Sequence, residues 1–553
     1  MVPLLVILGL LLLCGIAFFL GLGNIGLLDK TEAMFVEAAR QMLVRGDWIT
    51  PYWNDATRFD KPPLSYWLMA ISMQIGGVNE VAARIPSALL ATATVFLVFY
   101  TLQKVTFSWA VGGIAAAMMT LNPAWIAWGR VGVSDMYLSA TITIALLSFF
   151  LAYSQNQWPW YLSFYIFIGL AVLSKGPVGL LLPFLIIACF LLYLGGETAR
   201  KTLDKMRLGW GLLVIAAVTL PWYIAITLRH GWEYINTFFG YHNFQRFTSV
   251  VSNHPGPWYY FVPVLIVGVI PWSGYLPLAI FHLKPWKRHY WLRQPLLSHL
   301  GVYAFFWLAI IFTFFSVSAT KLPSYILPAM PAAIILVALL WGEIINDYVP
   351  TRQFVASSVL YLLLLLIVAI ANGLTPSLLG GNPLTPGITE ALESSGLATV
   401  GVCIWGMGVI GGVILLLKPQ WRKWLWIVGV SCFACFILFF ALPAASIIDT
   451  HLQLPLRRLA QEIITLGQPE EKLIMIGFIR PSLVFYTQKP VLFFDAPEDA
   501  IQYIRQTSLP QYLVVADSDN MTKFLSLLPE DSSQPLAREG VYQLIRGFSL
   551  NKT

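Results

Sequence analysis

The chain has 553 residues, 58% of them hydrophobic and 11% charged, with a net charge of +7. That balance excludes a disordered chain, which needs low hydrophobicity and high charge, and a water-soluble multidomain enzyme, which has nowhere to hide so much apolar surface. No Lys/Arg block of nucleic-acid type occurs, so nucleic acid is excluded as a partner and a polytopic α-helical membrane protein is left.

Runs of about twenty apolar residues predict about thirteen transmembrane helices. They lie near 3–22, 83–104, 108–127, 136–154, 159–173, 177–194, 209–228, 258–281, 298–317, 324–345, 353–374, 396–417 and 424–443. The first has no basic flank and no A-x-A cleavage site, and is expected to be retained. The fifth is short enough for a re-entrant segment. Cys14, Cys189, Cys403, Cys432 and Cys435 all fall in apolar runs, where neither a disulfide framework nor a zinc site is readable.

Residues 24–82 interrupt the apolar pattern as a polar, aromatic external loop. Phe35, Ala38, Ala39, Met42 and Leu43 recur at helical spacing and predict an amphipathic helix. Asp29 and Glu32, three apart at its start, share one face. They either cap the helix or supply a general base at the outer membrane surface. Further on, Pro62 and Pro63 fix the backbone just after Arg58-Phe59-Asp60-Lys61. A Lys on such a corner suits a phosphate as a compact point charge; the plainer reading is a surface Asp–Lys pair. Asp135 follows Ser134 at the start of the fourth span, as a helix cap or a site residue. Lys175-Gly176-Pro177 reads as a tight turn. His242 and Arg246, four apart, and Lys321-Leu322-Pro323-Ser324-Tyr325 complete the charged loops.

With the N-terminus inside, alternating the spans puts the basic clusters near 200–207, 284–293 and 418–423 on one side, as the positive-inside rule requires. Asp29, Lys61, Asp135, His242, Arg246 and Lys321 then share the opposite, external face. The tail, residues 444–553, is expected to be an external α/β domain beyond a 1–443 membrane domain. Its strands are read at Leu473–Phe478, Pro490–Phe494, Tyr512–Ala516 and Val541–Ile545, and its helices at Pro497–Gln506 and Met521–Leu528.

Carboxylates beside Lys and Arg at a bilayer surface suit a reaction on an anionic lipid-linked substrate. The bases hold the phosphate as a leaving group, and a carboxylate takes the proton of an attacking hydroxyl. Neither a phosphate-loop GxxxxGK[ST] nor a GxSxG motif is present. The alternative is a lipid or sugar transporter (flippase) of the cell envelope, which should carry its ionisable groups at mid-membrane. Here they stand at the outer ends of spans.

Glu32, Glu37, Arg40, Met42, Gly46-Asp47-Trp48, Pro51, Phe59-Asp60-Lys61-Pro62, Tyr66-Trp67, Asp135, Gln245-Arg246-Phe247 and Lys321 through Pro328 form a combined pattern. It resembles the GT-C membrane glycosyltransferases, on the bacterial lipid A aminoarabinose transferase branch related to the protein O-mannosyltransferases. The resemblance implies about thirteen spans in the plasma (inner) membrane, a cytoplasmic N-terminus and a periplasmic C-terminal α/β domain. It implies transfer of a sugar, with inversion, from a polyprenyl-phosphate donor to a lipid, glycan or protein acceptor. The family keeps an Asp-Glu pair after the first helix. Here Thr31 stands where its essential Asp falls and Glu32 where its Glu falls. Asp29, two residues earlier, is the expected base, with Glu32 second and Asp135 as the supporting acid. Lys61 matches the phosphate-binding Lys, and Arg246 and Tyr325 match the substrate-site Arg and Tyr. Arg58, Asp60, Lys321 and His242 complete the expected donor-binding set. Met34 replaces a family Arg, and Asp60 a family Glu. The family His aligns with Asn243, beside His242. No cofactor is implied with certainty; the candidate for a divalent metal is the pair Asp60 and His242.

Overall fold

The computed structural model describes residues 2–250, 254–379, 385–507, 509–529 and 532–549. Among these, eight helices are long and apolar enough to cross a membrane, and ten if each of two bent pairs is one span. The two pairs are Trp109–Thr120 with Pro123–Gly129, bent by 59°, and Phe261–Gly268 with Trp272–Leu283, bent by 111°. The first break has a local cause. The Asn122 side chain accepts from Trp125 N at 2.9 Å and so caps a new helix, with Pro123 at its first position. The remaining three of the thirteen expected spans fall on shorter or less apolar helices: 3–22 and 177–194 on Pro3–Phe19 and Val178–Leu194, and 159–173 on Trp158–Lys175. The chain is thus a multi-pass helical membrane protein, and the full count of thirteen exceeds what helix length and hydropathy pick out.

The span Ser134–Gln155 is buried over the whole of its apolar window, whereas Thr351–Gly373 is buried over only 39% of its own. The first is therefore the centre of the bundle and the second a lipid-facing wall. The central span carries Asp135 in its first turn.

Residues 24–82 hold two complete helices and a hairpin. The amphipathic helix spans Thr31–Arg45 and buries Ala33, Val36, Ala38, Ala39 and Met42. A two-stranded hairpin follows, β1 (Tyr52–Trp53) and β2 (Ala56–Thr57). Asn54 and Asp55 at its tip have φ of 52° and 62°, the left-handed pair that a tight hairpin needs. The helix Leu64–Gly76 begins directly after Pro62 and Pro63.

The last span does not stop at 443. Its helix runs on through Leu442–Leu452, past the expected domain boundary. The α/β unit is built from Leu454 onward. Its strands are β3 (Lys472–Ile476), β4 (Val491–Phe494), β5 (Gln511–Asp517), β6 (Ser533–Glu539) and β7 (Tyr542–Phe548), in the order β4-β3-β5-β7-β6. β3 is parallel to β4 and β5, and β7 is antiparallel to β5 and β6. Alternation along the strands splits the core into two layers. Leu473, Met475, Leu513 and Val515 meet Leu456, Leu459, Ala460 and Ile463 of the helix Leu454–Leu466. Ile474, Ile476, Tyr512 and Val514 meet Ala500, Ile501, Ile504, Met521 and Phe524 on the other face.

Candidate functional site

A cavity of about 390 Å³ lies where the ends of several helices converge. Its polar lining includes Asp60, Lys61, Asp135, Lys175, His242, Asn243, Arg246, Ser318, Ser324 and Tyr325; its walls include Leu138, Val178, Leu181, Phe238, Phe239, Phe244, Phe247, Phe314 and Phe315. A charged head on a long apolar body matches this division.

The corner 58–63 is tied from behind. Asp60 accepts from Arg58 Nη2 at 2.7 Å and from the Tyr66 hydroxyl at 3.0 Å. Arg58 also lies over the Phe35 ring, 5.3 Å from its centroid, and donates to Met34 Sδ. It therefore braces the corner and does not line the cavity, contrary to its expected place among the donor-binding residues. Lys61 Nζ donates to the Asp60 carbonyl at 2.7 Å and stays 3.8 Å from its carboxylate. Lys61 is 9% exposed. Burial, opposed by attraction to Asp60 and aided by repulsion from Lys175, Arg246 and Arg58, pulls its pKa down to about 8.

Asp135 accepts from Lys175 Nζ at 2.7 Å. Lys175 is the last residue of its helix, and the turn that follows depends on Gly176. That residue has φ +85°, and a Cβ there would lie 2.6 Å from the Phe238 ring. The Tyr325 ring sits between two cations, with Lys175 Nζ 5.3 Å and the Arg246 guanidinium carbon 6.0 Å from its centroid. Arg246 Nε is buried without a hydrogen-bond partner. An unpartnered guanidinium donor at a cavity beside Lys61 marks a place for an acceptor oxygen.

Lys61, Asp60, Asp135, His242, Arg246 and Tyr325 are thus brought together, as their sequence positions led us to expect. Lys175 and Ser324 join them. Lys175 was readable only as a turn residue; its standing as the one base at the outer end of the fifth expected span was the available signal.

Besides Arg58, three expected site residues lie elsewhere. Lys321 Nζ donates to the Ser316 and Ser318 carbonyls, each at 2.8 Å, and so closes its own loop. Glu32, 1% exposed, accepts from Arg84 Nε at 2.7 Å, Leu28 N at 2.8 Å and Gly132 N at 2.9 Å. Asp29 accepts from Ser482 N at 2.9 Å, Ser482 Oγ at 3.0 Å and Gln453 Nε2 at 3.2 Å, with Arg480 Nη1 at 3.5 Å. Both carboxylates face structural partners and neither lines the cavity.

Asp60 and His242 both line the cavity, but they do not fit a divalent metal. Each Asp60 oxygen already accepts a hydrogen bond, and Lys61 and Arg246 stand beside the pair as cations. Among the described residues no group of three or more His, Cys, Asp and Glu converges.

Residues 60–224 match the family described as dolichyl-phosphate-mannose-protein mannosyltransferase. Residues 466–549 match the cyanobacterial RgtA-type glycosyltransferase C-terminal domain. The undecaprenyl phosphate-α-4-amino-4-deoxy-L-arabinose arabinosyl transferase of Shewanella sediminis is 32% identical over 328 residues, 58% of this chain and 57% of that protein. The match thus spans little more than half of that relative's length. Its Yersinia pestis counterpart is 28% identical over 420 residues, 74% and 70% of the two chains. The crystal structure of ArnT from Cupriavidus metallidurans bound to undecaprenyl phosphate superposes with a TM-score of 0.78 at 22% identity, covering 98% of this chain and 97% of that one. At that identity the likeness speaks for the fold.

Proposed function

We propose that the chain is a GT-C membrane glycosyltransferase, related to the aminoarabinose transferases and protein O-mannosyltransferases it resembles, and that it transfers a sugar from a polyprenyl-phosphate donor to an acceptor hydroxyl. The observation that carries the reading is the unpartnered Arg246 Nε beside Lys61 at the head of a cavity with aromatic and aliphatic walls. Arg246 and Lys61 bind the donor phosphate, and Phe244, Phe247, Phe314 and Leu181 take the first isoprene units. The names of the relatives support undecaprenyl phosphate as the carrier.

Asp135 is the general base of this proposal. Its Oδ1 is engaged by Lys175, while the carboxylate still borders the cavity. The acceptor oxygen bonds to the anomeric carbon as the bond to the phosphate oxygen breaks. The bonding pair leaves with the phosphate, where Lys61 and Arg246 neutralise it, and the acceptor proton passes to Asp135. In-line displacement inverts the anomeric centre. A transporter is disfavoured by the location of Asp135 and Lys175 in the terminal turns of their helices. Mass spectrometry of envelope lipids and glycans from a deletion strain is expected to reveal a species that loses one sugar, and unchanged profiles would count against the reading.

The membrane is the plasma (inner) membrane, with the N-terminus cytoplasmic and both the 24–82 loop and the α/β unit outside. The basic clusters near 200–207, 284–293 and 418–423 support this orientation. Single cysteines at Ala56 and Ser532 are expected to react with a membrane-impermeant reagent in intact cells. Labelling only after the membrane is opened would reverse the orientation.

A further inference from the structure

We infer that the C-terminal α/β unit is a clamp on the segment ahead of helix Thr31–Arg45 and on the β1–β2 hairpin, with Asp29 and Asn54 as the residues it grips, and that through them it positions the loop before Asp135 and the corner that carries Lys61. The first grip is on segment Gly26–Asp29. The end of the last span supplies Asp449 Oδ1 to Gly26 N at 2.7 Å, and the α/β unit supplies the Tyr486 hydroxyl to Leu27 N at 2.8 Å. Asp29 reaches past the carboxyl end of β3 to Ser482 and Arg480, and its side chain is 4% exposed. In open α/β sheets this end of a parallel strand is where ligands bind; here the unit holds a carboxylate of its own chain. The fit is close: a Cβ on Gly26 would lie 2.9 Å from both Gln453 Cβ and the Tyr486 hydroxyl oxygen.

From the clamped segment the bonds run on toward the cavity. Arg84 donates to the Ile25 carbonyl at 2.7 Å and the Gly26 carbonyl at 2.9 Å, and it pairs with Glu32. Glu32 Oε1 accepts from Gly132 N, in the loop that leads directly into Asp135. The second grip is reciprocal. Asn54 Nδ2 donates to the Val491 carbonyl and Val491 N donates to Asn54 Oδ1, each at 2.8 Å, while Trp53 stacks on Phe493. The tip of the β1–β2 hairpin is thereby fixed to edge strand β4, a few residues ahead of Arg58 and Lys61. Asp29 and Asn54 are positioning residues, and the unit completes the site without touching the cavity.

The catalytic consequence rests on the proposed sugar transfer, whereas the clamp itself does not. Amide hydrogen exchange is therefore measured on the full-length protein in lipid nanodiscs without substrate. Asp29→Asn and the milder Ser482→Ala are each expected to raise exchange at Leu27, Leu28 and Gly132 about tenfold, as for the loss of one buried hydrogen bond. Asn54→Ala is expected to raise it over 57–61. The cytoplasmic helix Gly196–Met206 should be unchanged in all three. In turnover with a polyprenyl-phosphate sugar, Asp29→Asn should lower kcat about tenfold with donor KM kept, and Asn54→Ala should raise donor KM with kcat kept. Unchanged exchange at Gly132 in both Asp29→Asn and Ser482→Ala overturns the clamp. Raised exchange with wild-type kcat and KM overturns its service to the site. Raised exchange in an otherwise inactive wild type upholds the clamp and counts against sugar transfer.

Discussion

Lys61→Ala is expected to lower kcat/KM for the polyprenyl-phosphate donor by about two orders of magnitude, the scale for deleting one partner of a buried charge pair. Lys61 approaches the cavity from a proline-fixed corner whose Asp60 carboxylate is already engaged by Arg58 and Tyr66. Its ammonium is therefore available to an incoming anion. Lys61→Arg keeps the charge but not the compact point geometry, so partial activity is expected. The pH dependence separates the two. Below about 8 the free enzyme holds Lys61 charged and ready for phosphate; above it burial and the neighbouring cations favour the neutral amine. Wild-type kcat/KM should thus fall as pH rises through about 8, because kcat/KM reports groups of the free enzyme. Arg stays protonated throughout, so Lys61→Arg should lose this alkaline limb. A limb at the same pH in that variant would assign it to another group.

Asp135→Asn should lower kcat by about a hundredfold or more, the range for a positioned general base. Donor KM should not rise, because removing the carboxylate frees Lys175 to face the phosphate. Asp29→Asn and Glu32→Gln should cost less, since their carboxylates serve Ser482, Arg84 and Gly132 outside the cavity. The reverse ranking, with Asp29→Asn or Glu32→Gln the more damaging and Asp135→Asn near wild type, would return the base to the start of helix Thr31–Arg45. Retention of anomeric configuration in the product would defeat any single-displacement assignment.

What the residues disclosed depends on how local the determining contact is. Long apolar runs define spans by their own composition, and the short continuous apolar runs 473–476 and 512–516 define strands buried on both faces. Lys61 was legible from its proline corner and Asp135 from its helix end, whereas Arg246 and Tyr325 were legible through the family pattern. The role of Asp29 was not, because its partner Ser482 is 453 residues away. Glu32 likewise takes its character from Arg84, 52 residues on; a helix-start acid alone cannot reveal a buried salt bridge. Lys321 is absorbed by carbonyls of its own loop, a backbone geometry that no residue pattern announces. In the tail, β6 escaped notice because Pro535 and few apolar residues mark it as an edge strand. The helix Leu454–Leu466 did carry a readable signal in Leu456, Leu459, Ala460 and Ile463. It follows the last span almost without a break, so its apolar stripe merges with that of the span.

Equilibrium binding of a polyprenyl phosphate, compared with the matching polyprenol, to the wild-type protein and to Lys61→Ala tests the central claim most directly. The phosphate-bound carrier is what every donor of this class leaves behind, so the measurement does not depend on the sugar. The wild type is expected to bind the phosphate at least tenfold more tightly than the alcohol, with that preference largely lost in Lys61→Ala. Equal affinity for phosphate and alcohol, or a phosphate preference untouched by Lys61→Ala, would contradict a donor-phosphate site at this cavity.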